Sequence, residues 1–396
     1  MHSVYIALFA NQCLEFPKSA EFAYTRGSVR HRMLGGDCYD HGRMLGSETT
    51  FGRRLLRWYD ASRRELPWRA PRGAPGRVDP YHVLVSETML QQTQVATVIP
   101  YFHRFIERFP TIQSLAEAEE QEVLRLWQGL GYYSRARNLL AAAARVHQHH
   151  GGQMPTDLDE LLALPGVGRY TAGAMASIAF DVRAPILDGN VVRVLCRLDR
   201  IESDCKLSAT RELLWTRAEQ IIPTKRAGDF NSALMELGAT VCIPRMPHCL
   251  ICPVRNHCAA AAAGVQATLP IASKAKASPL VHRWVYCIRF GDQWLFEQRP
   301  RDGRWGGMWQ FTTMQTNDPM SLPVAIKYAQ RIGKVRHALT HRRYVFDVWM
   351  ADAVGSLKKS EARQWLPLSQ IGKLPLPRPH LKIAELLRSI IASPVA

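Results

Sequence analysis

The stretch that decides the reading is Leu164-Pro165-Gly166-Val167-Gly168-Arg169-Tyr170-Thr171-Ala172. It follows one apolar helical pattern and opens another. Gly166 and Gly168 let the backbone approach a ligand closely, and the amides that begin the next helix suit a phosphate oxygen. Taken alone, the segment is equally an ordinary tight turn between helices. Context comes downstream, in Pro185-Ile186-Leu187-Asp188-Gly189-Asn190-Val191-Val192-Arg193-Val194, an acid bracketed by apolar residues before a helix. Asp188 reads first as a helix N-cap. Capping and catalysis are compatible, because the N-terminal end of a helix favours an ionised carboxylate, as stabilising a neighbouring cation requires.

A second acid lies upstream, in Val83-Leu84-Val85-Ser86-Glu87-Thr88-Met89-Leu90-Gln91-Gln92-Thr93-Gln94-Val95. On a helix Glu87 shares its face with Val83, Leu84 and Leu90, so it is expected to be partly desolvated. Desolvation raises a carboxyl pKa, and a Glu protonated near neutral pH can serve as a general acid. The plainer alternative is a Glu at the edge of a core with a satisfied partner. Helical periodicity runs from Phe51 to about Gly238, which makes residues 49–241 an all-helical unit. A Pro/Gly/Arg-rich insert, Ala70 to Arg77, punctuates it after Leu66-Pro67-Trp68-Arg69.

Cys242, Cys249, Cys252 and Cys258 follow in the spacing C-x6-C-x2-C-x5-C. Four thiolates brought so close repel unless a metal centre neutralises them, so zinc or an iron–sulfur cluster is expected. Zinc sites more often pair two short C-x2-C knuckles, which gives iron–sulfur the lead. Arg245, His248, Arg255 and His257 interleave the thiols and offer a basic surface to phosphate.

The whole chain of 396 residues has Lys+Arg 51 against Asp+Glu 34, a formal charge of +17 and a pI near 9.7. That balance favours polyanionic partners, nucleic acid first. No run of eighteen apolar residues offers a membrane span, and the start lacks the pattern of a secretory signal, so a cytoplasmic protein without membrane association is expected. Nine cysteines, four of them crowded together, argue against a disulfide framework. Residues 1–48, with Met33 and Met44 as alternative starts, read as a disordered N-terminal extension. Residues 259–281 read as a linker. Beyond it, residues 282–396 form an α+β unit, with strands at His282 to Phe290, Gln293 to Gln298 and Arg343 to Met350, and helices near Pro323 to Ile332 and Pro379 to Ile391.

Together LPGVGRYTA, ILDGNVVRV, SETMLQQTQV, GLGYYSRARNL and the four-cysteine tail resemble the helix-hairpin-helix DNA glycosylases related to endonuclease III, over about Phe51 to Cys258. Bifunctional members place a Schiff-base lysine where this chain has Tyr170, and a tyrosine cannot form an imine. The early LPWR, the SETMLQQTQV run and the long C-terminal unit resemble specifically the MutY-type adenine glycosylases, which act on adenine opposite 8-oxoguanine. Gln298 to Phe311, with Gly306-Gly307, is similar to the Nudix-like C-terminal unit of that family. The acidic helix of a working Nudix hydrolase is missing: Thr312 to Ile332 hold only Asp318 as an acid, so the unit is expected to bind rather than hydrolyse.

The resemblance implies a monomeric, monofunctional enzyme on double-stranded DNA containing A:8-oxoguanine or A:G mispairs, nucleoid-associated in a bacterial cytoplasm. It implies a [4Fe–4S] cluster on Cys242, Cys249, Cys252 and Cys258. Glu87 would be the general acid and Asp188 the stabiliser of the cationic sugar, with Tyr170 and Asn190 orienting them. Trp68 and Arg69 would line the adenine pocket, Gln92 and Tyr132 would wedge into the base stack, and Gly166 and Gly168 would hold the DNA backbone. His337-Ala338-Leu339-Thr340-His341 would be the loop that probes 8-oxoguanine, with Leu339, Thr340 and His341 in contact and Leu339 standing where the family commonly has an aromatic. Ser232 stands where some members carry Glu or Gln. Three rivals remain on the residues: a glycosylase/lyase for oxidised pyrimidines, against which Tyr170 argues; a non-enzymatic DNA-binding iron–sulfur protein, against which Glu87 argues; and a nucleotide pyrophosphatase, against which the absent acidic helix argues.

Overall fold

The computed structural model describes residues 50–73, 77–273, 277–356 and 360–392. The extension expected over residues 1–48 and the middle of the Ala70 to Arg77 insert therefore lie outside the described residues. The helical half consists of α1 (Thr50–Ser62), α2 (Pro80–Leu90), α3 (Val95–Arg108), α4 (Ile112–Ala116), α5 (Glu120–Trp127), α6 (Ser134–His149), α7 (Leu158–Leu162), α8 (Arg169–Phe180), α9 (Gly189–Leu198), α10 (Ser208–Ile221), α11 (Ala227–Thr240) and α12 (Ala259–Ala262). The second half consists of β1 (Leu280–Phe290), β2 (Gln293–Gln298), β3 (Trp309–Met314), β4 (Ile326–Leu339), β5 (Arg342–Ala353), β6 (Arg363–Pro367) and α13 (Arg378–Ala392).

Two apolar cores divide the helical half. One gathers α2, α3, α5 and α6 around Trp127, Phe105 and Met89; the other gathers α1, α9, α10 and α11 around Phe51, Phe230 and Leu195. The central helices are apolar on every side, as elements walled in by others must be. α2 buries Tyr81 and then Val83 through Met89 without a break, and its start is fixed by Pro80 at the first turn and by Asp79, which accepts from the Tyr81 amide at 2.8 Å. α8 buries Thr171 through Ser177.

The second half is a six-stranded sheet in the order β4-β5-β1-β3-β2-β6. β1 and β5 run parallel from Leu280↔Arg343 to Arg289↔Asp352, and the other pairs are antiparallel. α13 covers one face, placing Ile383 and Leu387 in the core that also holds Phe346 and Val348. The Gly306-Gly307 loop reaches back to the helical half: Arg137 Nη1 donates to the Gly306 carbonyl at 2.6 Å, Gln121 Nε2 donates to that of Gly307 at 3.1 Å, and Met308 is buried within the first helical core.

Two expectations are corrected. The helix expected near Pro323 to Ile332 is absent; from Ile326 onward the chain is strand β4, paired with β5 through two bulges near Gln330 and Gly333. Its apolar residues matched a helical period, but pairing with a distant strand outweighed that local preference. The expected probing loop at His337 to His341 is the end of β4 plus a two-residue turn, Thr340-His341, before β5. The stretch expected as a linker, residues 259–281, is mostly exposed among its described residues, with Ala260 and Leu269 buried and the Cys205 amide donating to the Ile271 carbonyl at 2.9 Å. Small alanines gave it no period to read, although they fit against α9.

Candidate active site

A cavity of about 530 Å³ opens between the two helical cores. Trp68, Arg69, Glu87, Gln92, Tyr170, Asp188, Asn190 and Ser232 all line it, so acids remote in sequence face one space. Glu87 comes from the middle of α2 and is 5% exposed. Burial pushes its carboxyl up to about 7, with the negative Asp188 adding to the rise, while a hydrogen bond from Tyr170 and the charge of Arg69 oppose it. The Tyr170 hydroxyl, at the start of α8, donates to Glu87 Oε2 at 2.5 Å.

Asp188 caps α9, as expected: Oδ1 accepts from the Val191 amide at 2.7 Å, and Oδ2 accepts from Asn190 Nδ2 at 2.9 Å. Burial nonetheless outweighs these bonds and the Arg193 charge, so its pKa is raised, opposite to what the helix N-terminus alone predicts. Asn190 is itself held, since Arg193 Nη2 donates to Asn190 Oδ1 at 2.8 Å and to the Gly238 carbonyl at 2.7 Å. A Cβ on Gly238 would stand 2.7 Å from Asn190 Cβ, so that glycine lets α11 close on the acid-bearing turn.

One wall was missed by sequence reasoning. Glu236, one helical turn beyond Ser232 on α11, is buried and accepts from Arg64 Nε at 2.6 Å and Arg69 Nη2 at 2.9 Å. Burial pushes its pKa up, but the bonds and charges of Arg64 and Arg69 prevail and hold it below the usual range. The i, i+4 step from Ser232 was the available signal. The pair fixes Arg69 at the cavity, next to Trp68, which packs against Phe102 at 5.4 Å between ring centroids.

Residues 85–220 match the model of the HhH-GPD superfamily base excision DNA repair proteins, and residues 283–386 match that of the NUDIX domain. The adenine DNA glycosylase of Rattus norvegicus is 38% identical over 365 residues, covering 77% of this chain and 71% of the relative. That of Homo sapiens is 37% identical over 371 residues, covering 78% and 68%. That of Buchnera aphidicola subsp. Baizongia pistaciae is 33% identical over 342 residues, covering 84% and 95%. The chain belongs to the adenine DNA glycosylase family. It is accordingly an enzyme of the class that hydrolyses N-glycosyl bonds.

The other residues expected to matter in this family member lie outside the cavity. Gly166 has φ of +75°, and a Cβ there would stand 2.5 Å from Asn138 Cβ, so both backbone and packing require glycine. Gly168 is the N-cap of α8 with no side-chain cap and open space where a Cβ would stand, which leaves the helix amides available to an anion. Tyr132 is 43% exposed, and its hydroxyl lies 2.5 Å from Thr340 Oγ1 in the β4–β5 turn. The wedge candidate of one half thus touches the probing candidate of the other.

Among the described residues no group of three His, Cys, Asp or Glu side chains is close enough to hold a single ion. The four cysteines still form a set: burial pushes the Cys252 thiol up to about 11, and Cys242, Cys258 and Cys249 each add to the rise. Four soft thiols are the donor set that either zinc or an iron–sulfur centre takes. Two buried arginines, unforeseen from sequence, tie this loop to α9. Arg193 Nε donates to the Cys242 carbonyl at 2.7 Å, and Arg197 Nη1 lies 3.3 Å from Cys242 Sγ. No helix among the described residues is long and apolar enough to cross a membrane.

Proposed function

We propose that this enzyme removes adenine paired with 8-oxoguanine or guanine in duplex DNA, leaving an abasic site. The observation that carries the reading is a pair of carboxyl groups, remote in sequence, that line one cavity with unequal hydrogen bonding, one bond to Glu87 and two to Asp188. Glu87 has a single hydrogen bond supporting its charged form and a pKa of about 7, so near neutrality much of it holds a proton. Asp188 accepts from Val191 and Asn190 and feels Arg193, so of the two it is the better supported anion. That difference in hydrogen bonding assigns Glu87 as the acid and Asp188 as the electrostatic partner.

A base within a duplex is out of reach, so the adenine must turn outward into the cavity between Trp68 and Arg69, with Gln92 and Tyr132 filling the gap it leaves. Glu87 protonates N7, which makes the departing base neutral. Asp188 supports the oxocarbenium-like sugar until water adds, as paired carboxyls do in glycoside hydrolysis. Tyr170 carries no amine, so no imine forms and the strand is left uncut. Gly166 and Gly168 hold the backbone phosphate.

The C-terminal half would read the 8-oxoguanine through Leu339, Thr340 and His341, a role supported by the contact of Thr340 with Tyr132. It would bind without hydrolysing, since Thr312 to Ile332 contain one acid, Asp318, and no α-helix. Cys242, Cys249, Cys252 and Cys258 would hold a [4Fe–4S] cluster, which when bound cross-links the loop beneath a basic surface. We take the enzyme to act as a monomer on cytoplasmic DNA.

The test is single-turnover adenine release from an A:8-oxoguanine duplex. Glu87→Gln and Asp188→Asn should each abolish release while leaving duplex binding intact, and near-normal rates in either variant would remove that residue from the mechanism. Borohydride treatment on abasic DNA should trap no covalent adduct; an adduct would show a lyase.

A further inference from the structure

Gln92 and Tyr132 share an unusual backbone. Their φ angles are 58° and 48°, in the left-handed region that residues with a Cβ adopt reluctantly. They lie on separate turns, one after α2 and one before α6, and a single side chain closes both. Arg135 Nη1 donates to the carbonyls of Thr88, Met89 and Gln91 at 2.8, 2.9 and 2.7 Å. Its Nη2 donates to the carbonyls of Leu130 and Gly131 at 3.2 and 3.1 Å, and to the Thr93 hydroxyl at 3.4 Å.

We infer that Arg135 is a positioning residue that sets the Gln92 and Tyr132 turns as one unit, so that both side chains enter the base stack together. The inference rests on the proposed wedge role of those two residues. Arg135 is 8% exposed, so the carbonyls that end α2 and open the Tyr132 turn depend on the guanidinium rather than on water. The planar fork reaches two turns from one plane, whereas a lysine is a point donor that reaches one. The guanidinium also lies 5.7 Å from the Tyr132 ring centroid and 5.4 Å from that of Trp127, which orients the exposed ring from behind. Burial lowers the Arg135 pKa only to about 10, so the group stays charged at neutral pH.

Its remaining donor, Nε, has no hydrogen-bond partner, and Arg135 lines a cavity of about 30 Å³ with Asn138, Pro165 and Gly166. One water fits such a space, and there it would join the clamp to the hairpin that holds the phosphate. Wedge entry and backbone grip would then share a support.

The test compares Arg135→Lys with the wild type on two duplexes, one with adenine opposite 8-oxoguanine and one with an unpaired, bulged adenine whose extrusion needs less wedging. A 2-aminopurine beside the target reports unstacking. Release from the paired duplex should fall by about 10²-fold, the fluorescence rise should be lost, and release from the bulge should stay close to the wild-type rate. Equal losses on both duplexes with a normal fluorescence rise would overturn the inference. Thr93→Val removes one acceptor without unpairing a buried carbonyl and asks the same question in a less perturbed protein: a smaller loss confined to the paired duplex supports the clamp, and equal behaviour on both refutes it. Failure of the unaltered enzyme to release adenine would instead refute the proposed function.

Discussion

Replacing Glu87 by Gln should make the protein more stable at neutral and alkaline pH while removing its activity. Burial lifts the Glu87 pKa from the usual 4.5 to about 7 in the folded state. Between these values the native chain keeps a proton that the unfolded chain has released, so native stability falls as pH rises through the window and stays reduced above it. At about 1.4 kcal/mol per pH unit, the gap amounts to about 3 kcal/mol. Glutamine has nearly the same shape, still accepts from the Tyr170 hydroxyl and carries no charge to desolvate. Urea unfolding of both proteins at pH 4, 5, 6, 7 and 8 should therefore show no difference at the acid end, a widening gap through the window, and about 3 kcal/mol in favour of Glu87→Gln above it. A gap independent of pH, or a wild type that is the more stable above pH 7, would refute the claim that the folded protein holds a desolvated acid.

Further outcomes follow from other parts of the molecule. Gly166→Ala should destabilise the hairpin by about 1–3 kcal/mol and weaken binding to undamaged duplex, because it meets both a left-handed φ and the Asn138 side chain; unchanged melting and salt-dependent affinity would contradict this. Replacing Thr340 by Val and His341 by Ala together should lower the preference for adenine opposite 8-oxoguanine over adenine opposite guanine, measured as a ratio of single-turnover rates, and an unchanged ratio would exclude the turn from lesion reading. Cys252→Ser should cost visible absorbance and bound iron in the purified protein, and full iron retention would remove Cys252 from the ligand set.

Much of the site was legible because its chemistry is carried by short segments with local signals. The N-cap geometry of Asp188 and the glycine requirement at Gly166 are properties of a few consecutive residues, and burial of Glu87 follows from its apolar neighbours one turn away. What escaped is set by distant partners. Glu236 becomes a cavity wall only because Arg64 and Arg69 come to it from the far end of the chain, and Arg135 looks like one more basic residue on a helix until two turns fold around it. Strand β4 was misread for the same reason, since its register comes from β5. The raised pKa of Asp188 shows that a capping motif gives the hydrogen bonds but not the depth at which they lie.

The central claim is most directly tested by the pH dependence of single-turnover adenine release from an A:8-oxoguanine duplex between pH 5 and 9. With Glu87 donating the proton from a pKa of about 7, the rate should hold steady on the acid side and fall roughly tenfold per unit on the alkaline side. A rate that stays level through pH 9, or one that rises, would contradict proton donation by Glu87.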